Sequence, residues 1–258
     1  KQCPGSGSAI DSEVSRIAQI GLHLRNWQQH LRFLVKELHM NNAYMRFPTI
    51  FKEKIVFVAE DDLWAVSSDG GNACRLTNTP GLVTHPYFSP DGKWIAYSAT
   101  DEGKMEIYIM PFEGGQAKRL TYHPSRCTVL GWYPGKNRVL FRGTLQAANP
   151  RQEDIFSIAI NGGNWKNLGI GHASLLSFDD TGENLVLQRG YPDPATWKHY
   201  HGGRSGELWY GNINTLNFKK LTDSQTVQAS PFLYKDRIYF ISDSKGVANI
   251  YSDRKSVV

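Results

Sequence analysis

Apolar and polar positions through the middle of this chain fall into short, strand-length runs separated by turn residues, and the same order of runs keeps returning. Its clearest mark is an acidic or amide residue followed by an aliphatic and an aromatic: Asp62-Leu63-Trp64, Glu106-Ile107-Tyr108, Asp154-Ile155-Phe156, Glu207-Leu208-Trp209 and Asn249-Ile250-Tyr251. The aliphatic residues of these units are 44, 48, 53 and 42 positions apart. A period in the forties made of strands predicts an all-β fold, a β-propeller of four-stranded antiparallel blades, in which each repeat buries its faces against its neighbours.

Each repeat predicts four strands. A first apolar run such as His85-Pro86-Tyr87-Phe88 leads into a turn, Ser89-Pro90-Asp91-Gly92 in the clearest copy. Proline presets one dihedral of such a turn and glycine accepts a positive φ. The second strand follows (Trp94-Ile95-Ala96-Tyr97, Arg138-Val139-Leu140-Phe141), then the acid–aliphatic–aromatic unit, then a fourth strand ending in leucine, as in Arg75-Leu76-Thr77 and Arg119-Leu120-Thr121. From the third-strand aliphatic to that leucine is 13 residues in all four complete repeats. A one-residue slip would turn a buried hairpin's core face to solvent, so an invariant spacing marks a buried hairpin. The distance from second to third strand is by contrast elastic, at 8, 12, 16, 22 and 12 residues. Insertions therefore collect in one loop of each blade, on the face where a rigid scaffold carries its binding residues. The blades are expected at about 46–80, 81–123, 124–170 and 171–223, with part of a fifth at 226–252, about four and a half in all. An incomplete ring would expose sheet edges, so the propeller is expected to continue beyond residue 252.

Both ends depart from the pattern. Residues 1–39 carry a helical period through Val14, Ile17, Ile20, Leu24, Leu31, Leu34, Val35 and Leu38. They read either as an amphipathic docking helix or as a non-native or disordered extension ahead of a start at Met40. Residues 253–258 interrupt the repeat in mid-blade and resemble a translated adapter. The propeller is accordingly taken as 40–252.

The net charge of +5 changes this picture little. Residues 1–39 hold +2 of it and residues 253–258 hold +1, leaving +2 on the propeller, with no basic stripe to attract nucleic acid. Cys3, Cys74 and Cys127 are odd in number and match no metal or disulfide spacing. They read as reduced thiols of a cytoplasmic protein. No apolar run is long enough to span a bilayer. No cofactor is implied.

The longest insertion carries the candidate chemistry. Arg189, Trp197, Lys198, Tyr200 and Arg204 crowd it, with His201 beside them. Aromatic bodies with basic tips suit a peptide chain or its carboxylate end, and the same aromatics would equally anchor a long loop. His199 and His201 alternate as two ligands on one strand face would, but no third donor stands near them, so no metal site is read there. Ser205, in a glycine-rich loop and outside any G-x-S-x-G elbow, is a poor nucleophile, and no catalytic residue is assigned. Trp64, Tyr108, Phe156, Trp209 and Tyr251 read as packing between blades.

The unit Phe88-Ser89-Pro90-Asp91-Gly92-x-x-Ile95-Ala96-Tyr97, with Glu106-Ile107-Tyr108 and Arg119-Leu120-Thr121, resembles the repeat of the TolB and tricorn propellers and is similar to that of prolyl-oligopeptidase-type enzymes. Two segments narrow the resemblance to the tricorn protease family. One is Arg46-Phe47-Pro48-Thr49-Ile50 with Ile55 through Trp64; the other is Trp197-Lys198-His199-Tyr200-His201-Gly202-Gly203-Arg204-Ser205-Gly206-Glu207-Leu208-Trp209. The resemblance implies a six-bladed N-terminal propeller in front of separate catalytic domains, in a cytoplasmic hexameric serine peptidase acting on peptides. The family's catalytic residues have no counterpart in this chain. A TolB-like interaction module and a prolyl-oligopeptidase-type propeller remain the alternatives.

Overall fold

The computed structural model describes residues 44–146, 152–190, 206–221 and 227–254. The helical period of residues 14–38 lies outside them. The strands form five antiparallel sheets in chain order. The first holds β1 (Arg46–Phe51), β2 (Lys54–Ala59), β3 (Asp62–Ser67) and β4 (Cys74–Arg75); the second β5 (Val83–Phe88), β6 (Trp94–Ala99), β7 (Glu106–Pro111) and β8 (Lys118–Arg119). The third holds β9 (Cys127–Trp132), β10 (Arg138–Gly143), β11 (Asp154–Ala159) and β12 (Lys166–Asn167); the fourth β13 (Leu175–Phe178), β14 (Asn184–Arg189), β15 (Glu207–Asn212) and β16 (Asn217–Lys220). The fifth has three strands, β17 (Gln228–Tyr234), β18 (Arg237–Ser242) and β19 (Asn249–Arg254). Five propeller blades are thus present among the described residues, the last more complete than the half blade expected. Its final strand runs through Asp253 and Arg254, opposite Ile238 and Arg237. Ladder bonds use only backbone groups, so a strand can extend into residues whose side chains do not fit the repeat.

The 13-residue spacing has a direct structural meaning. In each four-stranded blade the leucine amide donates to the carbonyl of the third-strand aliphatic: Leu76 to Leu63 at 2.8 Å, Leu120 to Ile107 at 2.8 Å, Leu168 to Ile155 at 3.0 Å and Leu221 to Leu208 at 2.9 Å. This bond closes the outer hairpin just beyond fourth strands that are only two residues long in three of the blades. The hairpin tips of those three blades hold Gly-Gly pairs with positive φ, such as Gly114 at 99° and Gly115 at 136°. The fourth blade turns at Leu216 instead, in the same left-handed region at φ 56°.

The core lies between sheets, so second and third strands bury both faces. In the acid–aliphatic–aromatic unit the aliphatic faces the next blade: Ile107 packs with Val129, Val139 and Phe141. The aromatic faces back, and Tyr108 packs with Val56, Val58 and Leu63. Leu63, Ile107, Ile155 and Leu208 are all fully buried. Each aromatic also stands opposite the middle of its own second strand. Tyr97 and Tyr108, Phe141 and Phe156, and Phe240 and Tyr251 are register partners whose rings stack at 5.7, 5.5 and 6.1 Å.

Leu216 is half exposed, so its side chain recovers little by burial. A left-handed φ costs a non-glycine residue roughly 1–2 kcal/mol, against roughly 0.5–1 kcal/mol for glycine's greater freedom in the unfolded chain. Leu216→Gly is expected to raise the thermal midpoint by about 2 °C. A lower midpoint in a thermal melt would mean that the leucine side chain packs usefully at this turn.

Candidate functional site

The elastic second-to-third-strand loops share a face with the links between blades, and that face is built on buried carboxylates. Asp62 heads β3 at 2% exposure and Glu106 heads β7 at 1%. In the first blade the Asp62 carboxylate accepts from the Arg75 guanidinium, from Thr77 Oγ1 at 2.6 Å and from the Thr79 amide at 3.3 Å. Thr77 Oγ1 in turn accepts the Leu63 amide at 2.9 Å. The second blade repeats the arrangement. Glu106 takes bonds from Arg119 at 3.2 Å, from the Thr121 hydroxyl and from the His123 amide at 2.7 Å, while Thr121 Oγ1 accepts the Ile107 amide at 2.9 Å. One carboxylate therefore binds the fourth strand and the link to the next blade to the head of the third strand. In the third blade Asn167 and Gly169 stand where Arg and Thr stood, and His172 Nδ1 lies 2.7 Å from Asp154. In the fourth Lys220 reaches Glu207 at 2.8 Å. The acid of the repeat is thus committed to structure in every four-stranded blade.

The longest loop springs from the register pair Arg189 and Glu207. Arg189 donates through Nη1 to the His172 carbonyl at 3.0 Å and through Nη2 to the Ile170 carbonyl at 3.2 Å, and its guanidinium lies 5.0 Å from the Trp209 ring centroid. Burial lowers its pKa from the usual arginine value, with Glu207 opposing the shift. Glu207 is held below the ordinary carboxylate range, mainly by the Lys220 bond. At the loop's far root, a Cβ on Gly206 would sit 2.1 Å from the Gln228 carbonyl oxygen, so only glycine fits against the fifth blade. The base is therefore a rigid platform. Of the residues singled out in the sequence, the structure puts Arg189 at that base, spanning the joint between blades three and four. Trp197, Lys198, Tyr200 and Arg204 lie outside the described residues, as do His199, His201 and Ser205.

A second locus was missed in the sequence. First strands lie innermost and meet in the pairs β1–β5, β5–β9 and β13–β17: the Trp132 indole donates to the Tyr87 carbonyl at 3.0 Å, and the Leu233 amide to Ser177 Oγ at 3.0 Å. Three of these strands carry the same bulge, at Phe47-Pro48, His85-Pro86 and Ser230-Pro231, opposite Phe57, Tyr97 and Phe240. The residue before each proline has a positive φ, of 48°, 51° and 54°. A proline lacks the N–H a ladder needs, which is tolerable on an edge strand and at a bulge. The recurring X-Pro was the signal available. The bulges turn Phe47 and His85 toward one another, their rings 4.2 Å apart. Phe232 of β17 is also exposed. His85 lies 2.8 Å from the Thr84 hydroxyl, and burial, then Arg142 and Arg126, lower its pKa to about 4. The Ser230 amide at its bulge is taken up by Gln188 Oε1 of the preceding blade, and the Val129 amide of the proline-free β9 by Ser98 Oγ, both at 2.8 Å.

Comparison with known proteins gives the geometry a context. Residues 42–256 match the family described as the tricorn protease N-terminal beta propeller domain. Tricorn protease homolog 1 of Streptomyces coelicolor is 36% identical over 212 residues, 81% of this chain and 20% of its own length. The tricorn protease homolog of Saccharolobus solfataricus is 31% identical over 226 residues, 85% of this chain and 21% of its own. A crystal structure of the tricorn protease superposes with a TM-score of 0.72 at 27% identity, over 83% of this chain and 22% of that one. The chain spans about a fifth of the length of these relatives.

Two outcomes test this reading of the two loci. Glu106→Ala leaves Arg119 still paired with Glu102 but takes the acceptor from the Thr121 hydroxyl and the His123 amide, and is expected to cost about 2–3 kcal/mol in urea unfolding. Glu207→Ala, at a half-exposed pair, is expected to cost at most about 1 kcal/mol. Equal losses would deny the clamp its role. For His85, the folded state keeps the ring neutral down to about pH 4, whereas the unfolded chain protonates it from about 6.5 downward. Stability is then fully present above pH 6.5 and lost as the pH falls toward 4. His85→Asn, which tolerates the bulge, is expected to flatten that fall in unfolding free energy measured at pH 7.0 and 4.5. An unchanged pH dependence would place the His85 ring in solvent.

Proposed function

The chain belongs to the tricorn protease family, in the part of it described as the N-terminal propeller domain, and from that premise we propose that it is the accessory propeller of a serine peptidase that degrades peptides. The hydrolase chemistry sits in domains outside this chain, with which the propeller assembles. The ring is of the six-bladed type, the five blades described being one sector of it. The parent enzyme is cytoplasmic and hexameric, as the family resemblance implies, and uses no cofactor. The propeller's part is to gate or channel peptides toward or away from the catalytic domains and to aid assembly. Nucleic acid and membrane have no part in it.

One observation carries the peptide-binding half of this reading: the longest loop, rich in aromatic and basic residues, is rooted on a platform that packing and two arginine-to-carbonyl bonds hold still. A loop with a fixed root loses less freedom on binding than one that moves as a whole, which favours even a modest set of contacts. Trp197 and Tyr200 would lie against the peptide, and Lys198 and Arg204 would meet its carboxylates. Arg189 would hold the root and lend positive potential. The inner-strand bulges, with Phe47 and Phe232 exposed, are the second place a peptide would pass.

The test pairs a fluorogenic peptide assay with anisotropy of labelled short peptides. The expected result is no turnover, saturable binding by the wild-type chain, and a fall of about tenfold, equivalent to about 1.4 kcal/mol, in Trp197→Ala combined with Arg204→Ala. Turnover abolished by Ser205→Ala would overturn the accessory reading. Saturable binding unchanged by the double variant would move the site to the inner strands.

A further inference from the structure

Three polar atoms are shut away from solvent without a protein partner at the joint between the first two blades: Tyr97 Oη, Tyr108 Oη and Asp101 Oδ1. Tyr97 in β6 is fully buried and Tyr108 in β7 is 5% exposed. Buried hydroxyls are almost always hydrogen-bonded, because leaving one unpaired forfeits its hydration with no return. Two at one spot, with a carboxylate oxygen, need a common explanation.

Their geometry supplies it. Tyr97 and Tyr108 are direct register partners, and their rings lie nearly parallel, 20° apart in plane and 5.7 Å between centroids. Stacked in this way, the hydroxyls are held apart by about the same distance. That is too far for a direct O–H···O bond of about 2.7–2.8 Å and close to twice that length. Asp101 follows β6: after burial, its charge is the next cause raising the Tyr97 pKa, and it acts more weakly on Tyr108, behind burial, Arg119 and Glu102. The other two stacked pairs between register partners of a second and third strand among the described residues, Phe141 with Phe156 and Phe240 with Tyr251, hold at most one hydroxyl and bring no such demand.

We propose that a single water molecule is bound between Tyr97, Tyr108 and Asp101 and forms part of the joint between the first two blades. It accepts the Tyr97 hydroxyl proton, donates one hydrogen to Asp101 Oδ1 and the other to Tyr108 Oη. Three bonds match the usual complement of a buried water. The site abuts the Asp62 clamp, since Asp62, which accepts the Thr79 amide, also acts on the Tyr97 hydroxyl. The water thus ties the second and third strands of the second blade to the loop between them, on the face packed against the first blade, a contact no pair of side chains could make at this separation.

The experiment is a crystal structure of the whole chain at a resolution that orders internal waters, together with thermal melts of Tyr97→Phe, Tyr108→Phe and the double variant. The expected result is one solvent peak within about 3.2 Å of all three oxygens. The melts are expected to be coupled, the double variant losing clearly less than the two single losses added, although the two oxygens do not touch. A direct Tyr97–Asp101 bond, a site without a solvent peak, or a peak with the contacts of a monovalent cation would overturn the proposal, as would additive losses. If a variant does not fold, the wild-type crystal structure decides.

Discussion

The carboxylate at the head of the third strand is the contact on which the rest of each blade leans. A fourth strand two residues long contributes too few ladder bonds to hold itself, and an edge hairpin of that size is marginal in water. Asp62 and Glu106 make good the deficit by binding an arginine of the fourth strand, the threonine after it and an amide of the link to the next blade. Because the threonine oxygen also accepts the amide beside the carboxylate, strand head, strand tail and link form one closed network. Such a network is worth keeping only when every member is satisfied, and in the first two blades the members satisfy one another. Where the partners change, in the third and fourth blades, histidine or lysine takes up the acid more openly, and the elastic loops beside them are the two longest.

The inner strands solve a different problem. First strands converge on the centre, where ladders on both sides cannot be completed, and an X-Pro bulge relieves the ladder at the point of closest approach. The cost is a left-handed φ at Phe47, His85 and Ser230 and a set of freed amides. Gln188, fully buried one blade back, accepts the freed Ser230 amide, and Ser98 does the same for Val129 in the proline-free β9. The blades are therefore joined by specific bonds at the centre and by carboxylate clamps at the loop face, with apolar contact between. A scaffold joined in this way leaves its variable loops free to differ without moving their roots, which is how a repeat fold acquires a site.

Much of the fold was legible in the sequence because its decisive signals are local. The 13 residues from Ile107 to Leu120 describe one hairpin, and the hydrogen bond between them follows from that hairpin alone. Tyr108, Phe156 and Trp209 were rightly read as packing between blades, and Tyr108, Phe156 and Tyr251 also stack on the ring across their own hairpin. The candidate site was less legible. Arg189 was read as a group for ligands, and the structure engages it with two carbonyls of a neighbouring link that lie 17 and 19 residues before it. His85 passed as an ordinary member of an apolar run, because nothing in its neighbours announces a bulge or the Phe47 ring 38 residues earlier.

The sequence by itself determined the all-β class, the blade repeat, the hairpin register and the face on which insertions gather, since each depends on spacing within about 15 residues and on the alternation that buries one side of a strand. Only the tertiary structure decided which side chains meet across blades: Gln188 with Ser230, Phe47 with His85, and Tyr108 with Val56 and Leu63. These meetings are set by the angle and offset at which one twisted sheet lies on the next, and that depends on the summed packing of both faces. No single spacing along the chain records it.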